Sequence, residues 1–295
     1  MTPDEAAAAP IVPALDLLST SDVVGAVISG QAHVAAVVAG AQTEIAAAAD
    51  LIAQAYLAGG RLILLGAGTS GRLAVMEAAE VPGTYGIDPA RILARVAGGG
   101  ADQLVGSDAA EDEADLGRQD VAALKVGQGD VLVAVAASGR TPYTLCAAET
   151  ARSAGARIVS VTTVPGSPLA ALADVVIEVP VGEEVVSGST RLAAGTAQKL
   201  VLNALTTTAM VRVGRVHEHY MVDVVAANDK LRDRISGVVA ASTGTELGQA
   251  RSALERCDWN ARAAIVHLLT DLDPAQARAT AAAHRTVREA VDAAR

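Results

Sequence analysis

An α/β fold, with a central mostly parallel sheet between layers of helices and a small helical module after it, is what this sequence predicts. Three observations carry the prediction. Apolar runs at 62–65, 92–97, 131–136, 158–161 and 175–179 alternate with helical segments. Continuous β-branched runs between helices indicate parallel strands buried on both faces. The first run passes into a glycine-punctuated turn, Gly66-Ala67-Gly68-Thr69-Ser70-Gly71, and then into a helical pattern. The texture changes after Ser242-Thr243-Gly244, where short helical segments follow one another.

In chain order, the opening segment 1–13 is rich in Ala and Pro and predicts an irregular start. Ser19-Thr20-Ser21-Asp22 is a helix start, and 23–57 predicts one or two helices that Gly59-Gly60 ends. The segment opening at Arg72 predicts a helix ending at Glu80, before Pro82. A charged helix is expected over 109–125 and a long buried one over 190–213, with a further helix over 222–239. Three short helices, at 246–256, 260–270 and 274–294, would pack around the lone Trp259. The expected division is therefore a domain over 1–240 and a helical module over 241–295.

Composition limits the function classes. Asp plus Glu exceed Lys plus Arg by 33 to 23, with no basic run and 2% aromatic residues, which argues against a nucleic-acid partner. With no Phe and one Trp, the core must be built from Ala, Val, Leu and Ile. Charge or glycine interrupts the apolar stretches before the roughly 20 residues a membrane span needs. The start of the chain lacks a basic signal-peptide opening, so a soluble, cytoplasmic protein is expected. Cys146 and Cys257 are far apart in helical segments and read as buried thiols.

Chemistry concentrates in three turns. A strand, a glycine turn and a helix start converge free N–H groups and the positive helix end on one point, which suits an anion. Thr69, Ser70 and Gly71 supply hydroxyls and close backbone approach there. Ser138, Gly139, Arg140 and Thr141 form a second such turn, with Pro142 in the first turn of a helix. Ser189 and Thr190 precede the long buried helix. One hydroxyl-rich turn is ordinary capping, whereas three on one sheet point to a phosphate site at its carboxyl edge. The literal G-x-G-x-x-G of 66–71 also raises a dinucleotide site, but the second strand ends in glycines where a ribose-binding acid would stand. Glu77 and Glu80 share a helix face. Glu111 opens an acidic stretch that, on spacing alone, reads as a solvated helix start. His217 and His219, on what reads as an exposed strand or loop, lack a third metal ligand. Asp223 and Asn228 read equally as caps or ligands, and Lys199 is expected to pair with a carboxylate or reach the surface.

GAGTSGRL (66–73), the E-x-P around Glu80, AED (110–112), AASGRTPY (136–143), EVVSGSTRLAAGTAQKLVLN (184–203) and MVDV with N-D-K-L (221–231) together resemble the N-acetylmuramic acid 6-phosphate etherases. Those are sugar isomerase (SIS) fold lyases of cell-wall recycling. The tail's C-x-W-N and A-I-V-x-L-L (257–269) resemble that family's ubiquitin-associated-like (UBA-like) module. The resemblance implies Glu80 as proton donor and Glu111 as the second acid/base. It implies that Thr69, Ser70, Gly71 and Ser138 to Thr141 hold the 6-phosphate, while Ser189 and Thr190 line the sugar site. It further implies a homodimer, a phosphosugar substrate, and neither cofactor nor metal. Glu77 stands where the family usually has Asp, Val81 where it has Cys, and its acidic Thr-Glu-x-x-Asn opening is not found. A non-catalytic phosphosugar-binding regulator, a sugar-phosphate isomerase and a nicotinamide-dependent dehydrogenase are the alternatives.

Overall fold

The computed structural model of the chain describes residues 14–99, 106–226 and 228–295, together with the backbone, but not the side chain, of Asp108. The irregular opening expected over 1–13 lies outside them.

Five parallel strands form the centre: β1 (Leu62–Gly66), β2 (Ile92–Val96), β3 (Val131–Val135), β4 (Arg157–Thr162) and β5 (Val175–Glu178). Their order is β2-β1-β3-β4-β5, with Gly66 level with Val96 on one side and Val135 on the other. All of β1 and β3 is buried, which is why these strands read as unbroken apolar runs. Alternate side chains point to opposite faces. Leu62 and Leu64 therefore join one core, and Ile63 and Leu65 another.

Helices α1 (Thr20–Ser29), α2 (Val34–Gly40), α3 (Gln42–Leu57), α4 (Gly68–Tyr85), α5 (Ala114–Ala123), α6 (Pro142–Ser153), α7 (Pro168–Leu172) and α8 (Ala193–Val213) surround the sheet. The first core lies under α2, α3, α4 and α8, and the second under α5, α6 and α7. By length and composition Thr20–Gly40 is apolar enough to cross a membrane, with mean hydropathy 1.7, although the sequence reading expected no such stretch. It is bent into α1 and α2, and α2 packs on α8. No residue of α1 is buried.

Several boundaries differ from expectation, each for a local reason. α4 begins at Gly68, so Thr69 and Ser70 belong to its first turn. It also runs through Pro82 to Tyr85 rather than stopping at Glu80. Proline forfeits one hydrogen bond there, but burial of Val81 and Tyr85 holds the last turn in place until Gly86 caps it with φ +60°. The charged segment at 109–125 is a 3₁₀ turn, Asp108–Asp112, followed by α5, with Glu113 between them. α8 starts at Ala193, leaving Ser189 and Thr190 in the preceding loop.

A hairpin of β6 (Val216–His217) and β7 (Tyr220–Met221) then leads to α9 (Asp229–Thr243). No helix covers 222–226, because α9 is capped at Asn228, whose side chain accepts from the Leu231 N–H at 2.9 Å. Asp223 instead sits 3.5 Å from Arg215 and 3.7 Å from Arg262. The tail holds four helices rather than three: α10 (Leu247–Arg256), α11 (Ala261–Leu269), α12 (Pro274–Ala283) and α13 (Val287–Ala294). A reciprocal cap between Thr286 and Glu289 restarts the chain as α13. These helices share a third core with Val222, Ile235 and Val239, and Trp259 packs against it half-buried under Arg232. Both cysteines are buried and free.

Candidate active site

The chain leaves β1 toward β2 and leaves β3 toward β4, so the carboxyl ends of β1 and β3 flank the point where strand order reverses. A crevice opens at such a point. Two of the three predicted turns, 66–71 and 136–141, meet there side by side because Gly66 and Val135 are paired. Gly66 permits this closeness, since a methyl group on it would lie 2.7 Å from the Val135 carbonyl oxygen, and a methyl group on Gly71 would collide with the Gly66 carbonyl and the Val96 side chain. Gly139 has φ +62°, and a side chain there would strike Ser167.

The third turn reaches the first through α8. A methyl on Gly195 would lie 3.4 Å from Thr69 Cγ2 and 3.6 Å from the Thr190 carbonyl oxygen. Ser70 Oγ donates to Gln198 Oε1 at 3.0 Å. The buried Gln198 Nε2 has no hydrogen-bond partner and stands as a spare donor beside the turn. In the second turn Ser138 Oγ accepts from the Arg140 N–H at 3.2 Å, and Arg140 is exposed. Thr141 precedes α6 without capping it by its side chain. Ser189 N–H donates to the Val186 carbonyl at 3.0 Å.

Glu184 was not singled out by sequence reasoning. Its carboxylate accepts from the Ala193 and Ala194 N–H groups at 2.8 and 2.9 Å, which caps α8 and ties down the Ser189–Thr190 loop. One of two adjacent acids nine residues before a helix leaves no periodic signal, so only the folded loop reveals it.

The acids are arranged in two places. Glu77 is 3% exposed, and its oxygens take Lys199 Nζ at 2.7 Å and Thr206 Oγ1 at 2.5 Å. Lys199 thus pairs with a carboxylate, as its isolation in an apolar helix suggested. Its ammonium also stands 3.5 Å from Glu80 Oε2, and the Glu80 side chain is 61% exposed. Glu80 ends a groove of about 470 Å³ along α4, lined by Thr69, Arg72, Leu73, Val75, Met76 and Ala79.

Glu111 lies elsewhere. Ser107 N–H donates to Ala97 O, and Ala97 N–H to Gly66 O, so the 3₁₀ turn carrying Glu111 sits against the carboxyl edge of the sheet. Glu80 is twelve residues beyond Gly68, hence about 18 Å down the α4 axis from that edge. Within one copy of the chain the turn carrying Glu111 lies at the sheet edge, and Glu80 lies further along α4.

Of the H-x-H pair His219 is exposed as expected, whereas His217 is buried on β6. Burial pushes the His217 pKa down and a nearby Arg288 adds to this, against a smaller opposing pull from Glu218. Among the described residues no group of three or more His, Cys, Asp or Glu is placed to hold a metal ion.

Comparison with known proteins gives the family. The SIS domain family matches residues 29–163. The chain is 46% identical over 263 residues to N-acetylmuramic acid 6-phosphate etherase 1 of Vibrio cholerae, covering 89% of this chain and 88% of that one. It is 45% identical over 269 residues to the N-acetylmuramic acid 6-phosphate etherase of Rubrobacter xylanophilus, covering 91% and 89%. Among solved structures it is similar to a phosphoheptose isomerase from Neisseria gonorrhoeae, with TM-score 0.51, 20% identity and coverage of 65% and 98%. A phosphoheptose isomerase from Francisella tularensis gives TM-score 0.50, 19% identity and coverage of 66% and 100%. These structural likenesses show the fold, whereas the sequence relatives decide the family. With identity this high over nine-tenths of its length, the chain belongs to the N-acetylmuramic acid 6-phosphate etherase family, on a SIS fold.

Proposed function

We propose that this protein is a carbon–oxygen lyase that cleaves the D-lactyl ether of N-acetylmuramic acid 6-phosphate in the cytoplasm. The products are N-acetylglucosamine 6-phosphate and D-lactate, as cell-wall amino-sugar recycling requires. The similarity to the etherases along 89% of the chain carries this reading. The hydroxyl-rich turns at one sheet edge supply what a sugar phosphate needs: Thr69, Ser70, Gly71, Ser138, Gly139, Arg140 and Thr141 grip the phosphate, and Ser189 and Thr190 line the sugar. Arg140 suits bidentate contact with phosphate oxygens. The phosphate provides remote binding energy that fixes C2 and C3 against the acids.

The reaction runs on the open-chain sugar, whose C1 aldehyde acidifies the proton on C2. Glu111 takes that proton as general base. The electron pair forms the C2–C3 double bond, the C3–O bond breaks, and Glu80 gives its proton to the departing lactate oxygen. Water then adds to C3 of the unsaturated aldehyde, losing a proton to Glu80 while Glu111 returns one to C2. Atoms balance: substrate and water become amino sugar and lactate, with both carboxyls restored.

The working unit is a homodimer in which each site draws one acid from each copy, a reading supported by the position of Glu80 about 18 Å of helix axis beyond Gly68. The groove along α4 that ends at Glu80 supports this, as do exposed Leu200 and Val211 on α8. Residues 1–240 form the catalytic unit, and 241–295 a UBA-like module that braces it. Incubating the purified protein with N-acetylmuramic acid 6-phosphate and assaying D-lactate tests the function. Lactate release is expected, and phosphosugar binding without lactate would replace the lyase with a non-catalytic regulator.

A further inference from the structure

Lys199 is held more firmly than a surface ion pair requires. An exposed Lys–Glu pair contributes little to stability, and Glu80 is exposed. Yet the Lys199 ammonium is anchored by the buried Glu77, whose two oxygens are engaged, one by Lys199 and the other by Thr206. Glu77 is thereby consumed as an anchor, and the cation is fixed beside Glu80. Its side chain is 26% exposed, so a ligand can reach it. An ammonium has three donors. One goes to Glu77 at 2.7 Å, and the contact with Glu80 is long at 3.5 Å.

The substrate's chemistry matches this placement. In the lactyl ether a single carbon separates the leaving oxygen from a carboxylate. If Glu80 reaches that oxygen at hydrogen-bond distance, about 2.6–3.2 Å, the lactyl carboxylate falls in the shell around Glu80 where Lys199 stands. Without a cation, three carboxyl groups would crowd there. We propose that Lys199 binds the lactyl carboxylate and so selects lactyl-ether sugar phosphates over the same sugar phosphate without the lactyl group. This rests on the etherase reading and on Glu80 as proton donor. When Glu80 carries its proton, it releases its hold on the ammonium, and the lactyl carboxylate takes that place.

The test compares two ligands. Binding of N-acetylmuramic acid 6-phosphate and N-acetylglucosamine 6-phosphate is measured by calorimetry in a Glu111→Gln background, where the first ligand survives. Lys199→Met is combined with Glu77→Gln, so that no buried charge is orphaned, and compared with Glu77→Gln alone and with Lys199→Arg. The expected result is about 10- to 100-fold weaker binding of the lactyl sugar when Lys199 is Met, the size of a lost charged hydrogen bond. N-acetylglucosamine 6-phosphate should bind within about twofold of the control, and Arg should restore most of the lactyl affinity. Equal loss for both ligands would overturn the proposal and leave Lys199 as scaffold, and no loss for either would also overturn it. Lactate release by the unsubstituted protein is read separately. Its absence rejects the etherase reading, while the binding comparison still decides the role of Lys199.

Discussion

Glu80→Gln and Glu111→Gln, each inactive alone, are expected to restore activity when combined in one dimer. Gly68 lies at the sheet edge next to the phosphate turns, and twelve residues of α4 carry Glu80 about 18 Å away along the helix axis. The turn carrying Glu111 stays at the edge, tied to Ala97 through the Ser107 N–H. Two acids serving adjacent carbons of one sugar must each come within about 3 Å of their atoms, and the shared-site reading takes one acid from each copy. In a two-fold dimer with sites shared between copies, a heterodimer of the two variants has one doubly damaged site and one intact site. Random pairing makes half the dimers mixed, so about one quarter of all sites are intact. Co-expressing the variants with different tags and assaying D-lactate should give about a quarter of the unsubstituted activity, and isolated heterodimers about half. Background activity in tag-purified heterodimers would refute the shared site and place both acids in one chain.

Three further outcomes follow from particular contacts. Gly71→Ala should cost about 3 kcal/mol in denaturant unfolding, because the added methyl strikes the Gly66 carbonyl and Val96; unchanged stability would show that the turn can yield. Glu184→Ala should lose about 1–2 kcal/mol and raise KM more than it lowers kcat, since the carboxylate holds the α8 amides and the substrate loop. Asp130 carries the pH prediction: burial pushes its pKa up, but hydrogen bonds from Arg61 and from the Gly127 and Arg61 N–H groups outweigh burial and leave it below the ordinary aspartate value. A lowered folded pKa stabilises above the unfolded value of about 3.9, and that stabilisation is lost as pH falls through the folded value. An acid titration of stability should therefore lose that limb in Asp130→Asn, and an identical limb in the variant would contradict the assignment.

Much of the fold was legible because its strands are buried on both faces. Each of the five apolar runs became a parallel strand within a residue or two. The turns at the carboxyl ends of β1 and β3 were legible through their glycines and hydroxyls. What failed to show was set by tertiary context. Pro82 reads locally as a stop, but the buried Val81 and Tyr85 carry α4 past it. The segment 222–226 reads as helical, but the cap at Asn228 and the arginines flanking Asp223 keep it out of a helix. Glu77 and Glu80 look equivalent at spacing i, i+3, yet contacts from α8 make one a buried anchor and leave the other exposed. The role of Glu184 depends on a loop folding back on the helix it precedes, which no local pattern encodes.

Elimination followed by hydration is the central claim, and isotope incorporation reaches it most directly. The protein is incubated with N-acetylmuramic acid 6-phosphate in deuterated water, and the N-acetylglucosamine 6-phosphate is examined by proton NMR and mass spectrometry. The account predicts deuterium at C2 along with one equivalent of D-lactate, because Glu111 removes the C2 proton and returns one that has exchanged with solvent. Lactate released with the original hydrogen still on C2 would contradict it.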